Sequence, residues 1–272
     1  MTVGSITGIG LGTAPLAFND VDRERGVRVV LDAVDAGIRL IDTALAYTHA
    51  DVESFAESQV AEALTHRPDA DVLVATKGGH YRAGTDFPVD GSPEALRRDC
   101  DISLRTLGVE RIGLYQLHHV DPRVPLAESV GALAELRQEG KIGEIGLSNV
   151  SIEQLESVRP IAPVASVQNR LSFAHFEDHA MVGHCEEIGV RYLAYSPLAS
   201  VPAGALDERA EVAARYGVSV QRLTLAWLRS LSPAVVPLVG ATRSESILDS
   251  VASAELTLSP DDAAALTAAA RR

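Results

Sequence analysis

The chain has 272 residues, of which 46% are hydrophobic, and its formal net charge is −13 at pH 7. That length suits one large α/β barrel or two ordinary domains, and the apolar content is sufficient for a full core. The acidic balance argues against a nucleic acid or an anionic membrane as partner, because both require concentrated positive charge. Any anionic ligand must therefore be held by a local cluster of basic residues.

Membrane and export signals are not found in the sequence. No apolar run reaches the length of about 18 residues that a membrane span requires, and the N-terminus lacks a basic segment followed by a long apolar one. Cys100 and Cys185 have no metal-type spacing, so we expect ordinary thiols in a reducing compartment. The sequence therefore predicts a cytoplasmic protein without a membrane segment.

Apolar, strand-like runs alternate with amphipathic helical patterns along the chain. The strand candidates are residues 9–13, 38–41, 72–76, 112–117, 142–147, 165–168, 190–195 and 235–239. The helix candidates are residues 22–36, 52–64, 93–107, 126–139, 152–158, 176–188, 207–230 as two helices, 244–253 and 261–271. Eight strands, each followed by a helix, predict a parallel sheet closed into a (β/α)8 TIM barrel, with one domain spanning residues 1–272.

A polar residue or a glycine stands at the C-terminal end of almost every predicted strand. These residues are Asp42, Lys77, His118, Ser148, Asn149, Gln168, Tyr195 and Gly240. In a barrel, the C-terminal ends of the strands form the face on which active sites are built. Each residue alone has an ordinary structural interpretation, such as a turn cap for Asp42 or a solvent-exposed strand end for Lys77. Their convergence on one face predicts an active site.

Tyr47 lies five residues after Asp42, in a loop at the same face. A free tyrosine titrates near ~10, so it donates a proton poorly at neutral pH unless its pKa is perturbed. The ammonium of Lys77 is expected to lower the pKa of Tyr47, and Asp42 is expected to hold that ammonium in place. With His118 as a further hydrogen-bonding group, the set is suited to protonating an oxygen that gains negative charge.

Seven stretches of the sequence resemble the aldo-keto reductase superfamily, in the order and spacing of that family. They are GLGTAPL (10–16), GIRLIDTALAY (37–47), VLVATK (72–77), LYQLH (114–118), GKIGEIGLSN (140–149), VQN (167–169) and YSPL (195–198). The resemblance implies an NADP(H)-dependent oxidoreductase that reduces aldehyde or ketone carbonyls to alcohols. It also implies a catalytic tetrad of Asp42, Tyr47, Lys77 and His118, with Tyr47 as the proton donor and acceptor.

The same resemblance implies the contacts to the nicotinamide half of the cofactor. Ser148, Asn149 and Gln168 are expected to hold the carboxamide, and Tyr195 is expected to stack on the ring. Stacking fixes the face that delivers hydride, while the cofactor supplies the chemistry itself. The residues expected to border the pyrophosphate are Ser196, Pro197 and Leu198.

Residues 240–250, GATRSESILDS, resemble the adenosine-phosphate site of the family. Small residues open a helix there, and its N–H groups and dipole can receive a phosphate. Gly240 and Thr242 belong to this site, and Arg243 is expected to bind the 2′-phosphate of NADP. The chain departs from the family pattern at two positions, since Ser246 stands where relatives often carry a second basic residue and Ser250 where they often carry Asn.

The substrate pocket is expected to include a group of residues near the tetrad, namely Leu45, Ala46, His80, Tyr81, His119 and residues 198–202. The chain ends soon after its last predicted helix, so we expect an open pocket for a small-molecule carbonyl substrate. Residues 146–198 also resemble bacterial members that reduce pyridoxal, which makes that aldehyde one candidate. The expected oligomeric state is a monomer or a small homo-oligomer.

Two other functions remain as alternatives. One is a non-enzymatic, nicotinamide-binding redox regulator, because barrels of this superfamily also serve as redox-sensing subunits. The other is a metal-dependent hydrolase that uses Asp42, His118, His119 and Asp121. Against it, adjacent residues of a strand point to opposite faces, and no His-x-His or His-Glu-x-x-His spacing occurs. No metal ion is therefore expected.

Overall fold

Eight parallel strands close into a barrel in the computed structural model of the chain, which describes residues 1–19, 21–49, 54–83, 86–199 and 208–271. The strands are β1 (Gly10–Gly12), β2 (Leu40–Asp42), β3 (Leu73–Gly78), β4 (Ile112–Leu117), β5 (Ile142–Ser148), β6 (Val164–Arg170), β7 (Arg191–Tyr195) and β8 (Val235–Gly240). Each strand pairs with its neighbours in sequence order, and β8 pairs with β1. The predicted (β/α)8 TIM barrel is confirmed.

Helices cover the outer surface of this barrel. They are α1 (Ala14–Phe18), α2 (Arg23–Asp35), α3 (Phe55–Thr65), α4 (Pro93–Leu107), α5 (Leu126–Gln138), α6 (Ile152–Val158), α7 (His179–Glu187), α8 (Glu208–Tyr216), α9 (Val220–Ser230), α10 (Ser244–Val251) and α11 (Pro260–Ala270). Helices α8 and α9 are separate, as the sequence predicts, because Gly217 takes a left-handed φ of 64° between them. No helix within the described residues is long and apolar enough to cross a membrane.

The N-terminal end of the barrel is closed by the first residues of the chain. A short 3-10 helix, Val3–Ser5, places Val3 and Ile6 against the apolar side chains inside the barrel. The carboxylate of Glu144 accepts a hydrogen bond of 2.6 Å from the backbone N–H of Val3, and Arg191 donates to the carbonyl of Gly4 at 2.7 Å. The first residues of the chain thus cover the N-terminal end of the barrel.

Four serine caps fix the starts of outer helices, so the loops before them leave the barrel in defined directions. The hydroxyls of Ser92, Ser151, Ser219 and Ser259 each accept a hydrogen bond from a backbone N–H three residues later. Ser151 and Gln154 also form a reciprocal capping box, as their spacing predicts.

Candidate active site

The side chain of Lys77 is fully buried at the end of β3, and its ammonium has three acceptors. Its Nζ lies 2.7 Å from Oδ2 of Asp42, 2.8 Å from the carbonyl oxygen of Thr43 and 3.2 Å from the hydroxyl oxygen of Tyr47. Burial lowers the pKa of Lys77, but attraction to Asp42 and Tyr47 outweighs burial and the net pKa is raised. Lys77 therefore stays charged in a buried site where every N–H of the ammonium has a partner.

The second carboxylate oxygen of Asp42 accepts hydrogen bonds from two glutamines. Nε2 of Gln168 lies 2.8 Å from Oδ1 of Asp42, and Nε2 of Gln116 lies 3.2 Å from it. Gln116 was missed by the sequence reasoning, although it lies near the C-terminal end of β4, beside Lys77 of β3 in the sheet register. The carboxylate is thus held by three donors from three strands, which orients it toward Lys77.

The hydroxyl of Tyr47 faces the cavity at the barrel mouth and accepts a hydrogen bond from Lys77. Burial raises the pKa of Tyr47, the charge of Lys77 lowers it, and the charge of Asp42 raises it again, so that the net pKa lies above the usual value. Lys77 lowers this pKa, as predicted, but desolvation outweighs the ammonium, so the pKa of Tyr47 does not fall below its usual value. A raised pKa keeps the phenol protonated at neutral pH, with a proton to donate.

Three imidazoles meet beside Tyr47. The ring of His118 meets that of Tyr47 edge-on with a centroid distance of 5.8 Å, and His80 lies 4.8 Å from both His118 and His119. Burial and the nearby positive charge of Lys77 hold the pKa of His118 well below its usual range, and burial lowers that of His80 to about 4. These rings are neutral at pH 7, so His118 can donate a hydrogen bond while remaining uncharged.

His118 and His119 stack at 5.2 Å with an interplanar angle of 19°, and both line the same cavity. The expectation that adjacent histidines point to opposite faces is therefore wrong. Strand β4 ends at Leu117, so both histidines lie past the strand, where the alternation of side chains no longer applies. Nδ1 of His118 is buried without a partner among the described residues.

The histidine cluster makes the free energy of unfolding depend on pH in the acid range. An unfolded histidine has a pKa of about 6.5, and the folded values are lower, so the unfolded state binds more protons below that pH. Stability is therefore complete above about pH 6.5 and is lost as pH falls toward the folded pKa values. The slope is at most about 1.4 kcal/mol per pH unit for the fully buried His118 and smaller for the partly exposed His80 and His119, whose charges water screens.

Urea unfolding at pH 7.5 and 5.0 measures this effect. His80→Gln is expected to reduce the loss of stability between the two pH values, because glutamine does not titrate. His66→Gln, at an exposed position just after α3, is the matched control and is expected to leave the loss as in the parent. An equal loss in the parent and in His80→Gln would contradict the assignment.

Asp121, the fourth residue of the hydrolase alternative, is held apart from this cluster. Its carboxylate accepts hydrogen bonds from Arg123 and from the backbone N–H of Gly91 at 3.1 Å. In the part of the chain that the structure describes, no group of three or more His, Cys, Asp or Glu side chains is arranged to hold a metal ion.

A cavity of about 450 Å³ opens at the C-terminal mouth above the tetrad. Its lining includes three residues of the tetrad, all of the residues predicted to contact the nicotinamide and the pyrophosphate, and Gly240 of the predicted adenosine-phosphate site. They are Asp42, Tyr47, His118, Ser148, Asn149, Gln168, Tyr195, Ser196, Pro197, Leu198 and Gly240. Arg170, two residues after Gln168 and on the same face of β6, also lines the cavity and was missed by the sequence reasoning.

Asn149 links the ends of three strands on one side of this cavity. Its Nδ2 donates to the carbonyl of His118 at 3.0 Å and to Oγ of Ser148 at 3.1 Å, and its Oδ1 accepts from the hydroxyl of Tyr195 at 2.8 Å. The residue takes a left-handed φ of 58°, as does Ser196 at 51° after β7. Two non-glycine residues in this uncommon conformation border one cavity, which is typical of functional sites.

Gly240 lets the backbone approach α1 closely where β8 meets β1. A Cβ atom at this position would lie 2.5 Å from Cγ of Pro15, and both residues line the cavity. Helix α1 was not predicted from the sequence, because its five residues are too few to show a helical period.

A second cavity, of about 500 Å³, lies beyond Gly240 and is lined by Arg243. Thr242 lines neither cavity, and its carbonyl oxygen accepts a hydrogen bond of 2.7 Å from Nε of Arg25. Ser250 is buried, and its hydroxyl donates to the carbonyl of Ser246 at 2.9 Å. The side chain of Ser250, at the position where relatives often carry Asn, therefore bonds within its own helix and does not line this cavity.

The residues predicted to line the substrate pocket lie in several different places. His119 lines the cavity, whereas Leu45 and Ala46 are buried behind it. His80 and Tyr81 lie on the loop after β3, which also carries Phe87. Phe87 and Phe18 are both about two-fifths exposed and pack edge to face at 5.8 Å near Tyr47. Residues 200–202 lie outside the described residues.

Comparisons with known proteins agree with this geometry. The family model described as Aldo/keto reductase family matches residues 8–271. The NADH-specific methylglyoxal reductase of Escherichia coli is 30% identical to this chain, and the match covers 95% of this chain and 93% of the relative. An uncharacterised oxidoreductase of Schizosaccharomyces pombe is also 30% identical, and that match covers 94% of this chain and 81% of the relative.

Solved structures give the same result. A glycerol dehydrogenase of Gluconobacter oxydans superposes with a TM-score of 0.83 at 28% identity, covering 96% of this chain and 90% of the other. An aldo/keto reductase of Klebsiella pneumoniae, solved with NADP and acetate, has the same TM-score and coverage at 26% identity. The chain therefore belongs to the aldo/keto reductase family of oxidoreductases.

Proposed function

We propose that the chain is an NADP(H)-dependent carbonyl reductase, which reduces aldehydes or ketones to alcohols by hydride transfer with Tyr47 as the general acid. One observation carries this proposal: the hydroxyl of Tyr47 contacts the ammonium of the buried Lys77 at the wall of a cavity. The names of two relatives each support one part of it: the NADH-specific methylglyoxal reductase supports carbonyl reduction, and the aldo/keto reductase solved with NADP supports the cofactor. The proposed setting is a cytoplasmic enzyme, a monomer or small homo-oligomer with one domain, acting on a small-molecule carbonyl.

The nicotinamide supplies the hydride when it is bound, and the chain supplies the proton. Tyr47 donates its hydroxyl proton to the carbonyl oxygen as that oxygen gains negative charge. The ammonium of Lys77 stabilises the tyrosinate that forms, and Asp42 keeps the ammonium charged and in place. His118, neutral at pH 7, orients the carbonyl with a ring N–H. In the direction of alcohol oxidation, Tyr47 accepts the proton instead.

The first cavity fits a nicotinamide. Tyr195 is half-buried with its side chain on the cavity, which suits stacking on a flat ring. Oε1 of Gln168 and the second lone pair on Oδ1 of Asn149 remain as acceptors for a carboxamide N–H, since their donors are engaged elsewhere. Ser196, Pro197 and Leu198 follow on the cavity wall, in the direction proposed for the pyrophosphate.

A substrate screen with both reduced cofactors tests the function. NADPH oxidation is expected with at least some members of a panel of aldehydes and ketones that includes pyridoxal and methylglyoxal. Binding of NADPH without turnover of any carbonyl would favour the redox regulator. Loss of a hydrolytic activity on chelation of metals would favour the hydrolase instead.

Arg243→Ala is expected to weaken the binding of NADPH far more than the binding of NADH. A charge-assisted hydrogen bond to the 2′-phosphate is present only with NADPH, so its loss is expected to raise that Kd by about tenfold or more. Fluorescence titration of the purified protein with each cofactor measures the ratio. An equal rise in both Kd values would contradict a contact to the 2′-phosphate.

A further inference from the structure

The second cavity lies between the start of α2 and the start of α10. Its lining carries three arginines and three carboxylates, with Val29 and Ser244 between them: Arg25, Arg28, Arg243, Asp22, Glu24 and Glu245. It begins three residues after Gly240, which lines the cavity above Tyr47. A ligand with a nicotinamide beside Tyr195 and a second nucleotide half would follow the chain from one cavity into the other.

Two of the three arginines belong to α2 and lie on one face of that helix. Arg25 and Arg28 are three residues apart, which places their side chains next to each other. Nε of Arg25 donates to the carbonyl of Thr242 at 2.7 Å, so α2 is fastened to the loop that carries Arg243. The remaining N–H groups of Arg25 are left to face the cavity.

Arg28 and Arg243 make no side-chain hydrogen bond and no ion pair with any residue in the described ranges. Arg23, five residues before Arg28 on the same helix, behaves differently, because it pairs with Glu62 at 2.6 Å. On a protein with a net charge of −13, two unpaired guanidinium groups at one cavity are suited to an anion. A guanidinium presents its N–H groups in a fork that fits a phosphate.

The lining of the second cavity carries as many carboxylates as arginines, so the loss of one arginine would make its net charge negative. The carboxylate of Asp22 accepts a hydrogen bond of 2.8 Å from the backbone N–H of Arg25 as the cap of α2. Without Arg28, three carboxylates would face only two arginines, and the lining would repel a phosphate while tolerating a hydroxyl. Ser246 supplies no cation to this site.

Building on the NADP(H) dependence proposed above, we propose that Arg28, supported by Arg25, binds the 2′-phosphate of the cofactor together with Arg243. Helix α2 then supplies the second positive charge that Ser246 does not. Arg28 acts as a specificity-determining residue, because it contacts a group that NADPH carries and NADH lacks. Its contribution is to binding and cofactor choice, with no part in proton transfer.

The test compares ligands with and without the 2′-phosphate. Kd values are measured for NADPH, NADH, adenosine 2′,5′-bisphosphate and 5′-AMP on the full-length protein. Arg28→Ala is expected to raise the Kd values of NADPH and the bisphosphate by about ten- to hundredfold. The Kd values of NADH and 5′-AMP are expected to rise by less than about threefold. Arg28→Lys is expected to recover part of the loss, because it restores the charge without the fork.

Arg23→Ala is the matched control on the same helix, and it is expected to change all four Kd values by less than about twofold. An unchanged NADPH affinity in Arg28→Ala, or an equal loss for NADPH and NADH, would overturn the role of Arg28 and leave the proposed enzyme intact. A parent protein that binds neither dinucleotide would overturn the proposed function as well, so the two failures are distinguishable.

Discussion

Tyr47→Phe is expected to lower kcat for carbonyl reduction by about a hundred- to ten-thousandfold, the usual contribution of a positioned general acid. The substitution removes the hydroxyl that contacts Lys77, and with it the proton proposed for transfer, while the ring keeps its edge contacts with Phe18 and His118. Because the cavity wall is unchanged in shape, the Kd of NADPH is expected to change by less than about threefold. Steady-state kinetics and a cofactor titration on one preparation separate the two effects.

Tyr216→Phe serves as the matched control for this variant. Tyr216 lies at the end of α8, where its hydroxyl donates to Asp262 at 2.8 Å and accepts from the backbone N–H of Ser259 at 2.9 Å, and it has no hydrogen bond to the described residues of the tetrad. The control is expected to keep a kcat close to that of the parent. If Tyr47→Phe reduced carbonyls at the parental rate, another group would have to donate the proton, and the role proposed for Tyr47 would be wrong.

The placement of Asp42, Lys77 and His118 could be predicted from the sequence because each follows an apolar strand. Parallel strands of a barrel bring their C-terminal ends to one mouth, so the convergence follows from the alternation of strands and helices alone. Gln116 lies inside β4, beside Lys77 of β3. It was missed because a glutamine inside a predicted strand is not recognisable as buried until the barrel closes.

The pKa of Tyr47 could not be predicted in the same way. Its sign depends on whether the loss of water around the phenol outweighs the charge of Lys77, and a sequence gives neither distance nor burial. The structure shows that burial is the larger effect. In the proposed mechanism, Lys77 therefore limits the rise in the pKa of Tyr47 and does not bring that pKa down to neutrality.

The arginines at the second cavity could not be predicted as one site, for a different reason. Arg28 and Arg243 are far apart in the sequence, and they meet only because β8 pairs with β1 and brings α10 against α2. Local patterns predicted Arg243, which lies in a recognisable stretch. They gave no reason to connect it with a helix near the other end of the chain.

Lys77→Met is expected to lower kcat by at least about a hundredfold, since it removes the charge that stabilises the tyrosinate as the proton leaves. The loss of the ammonium also removes the contribution that lowers the pKa of Tyr47, so that pKa is expected to rise further. The alkaline limb of the kcat profile for reduction, where Tyr47 loses its proton, is expected to move to higher pH. Profiles of kcat against pH for the parent and the variant measure both effects.

Stability must be separated from catalysis in this variant, because Lys77→Met leaves Asp42 buried without its partner. Breaking a buried ion pair in this way costs about 3–5 kcal/mol of unfolding free energy. The double variant Lys77→Met with Asp42→Asn removes both charges and is expected to recover much of that loss in urea unfolding, while kcat stays low. A double variant that regained both stability and parental kcat would show that the pair only supports the fold. Recovery of stability without recovery of kcat would support a direct effect of Lys77 on Tyr47, in agreement with the 3.2 Å contact between Nζ and the hydroxyl oxygen.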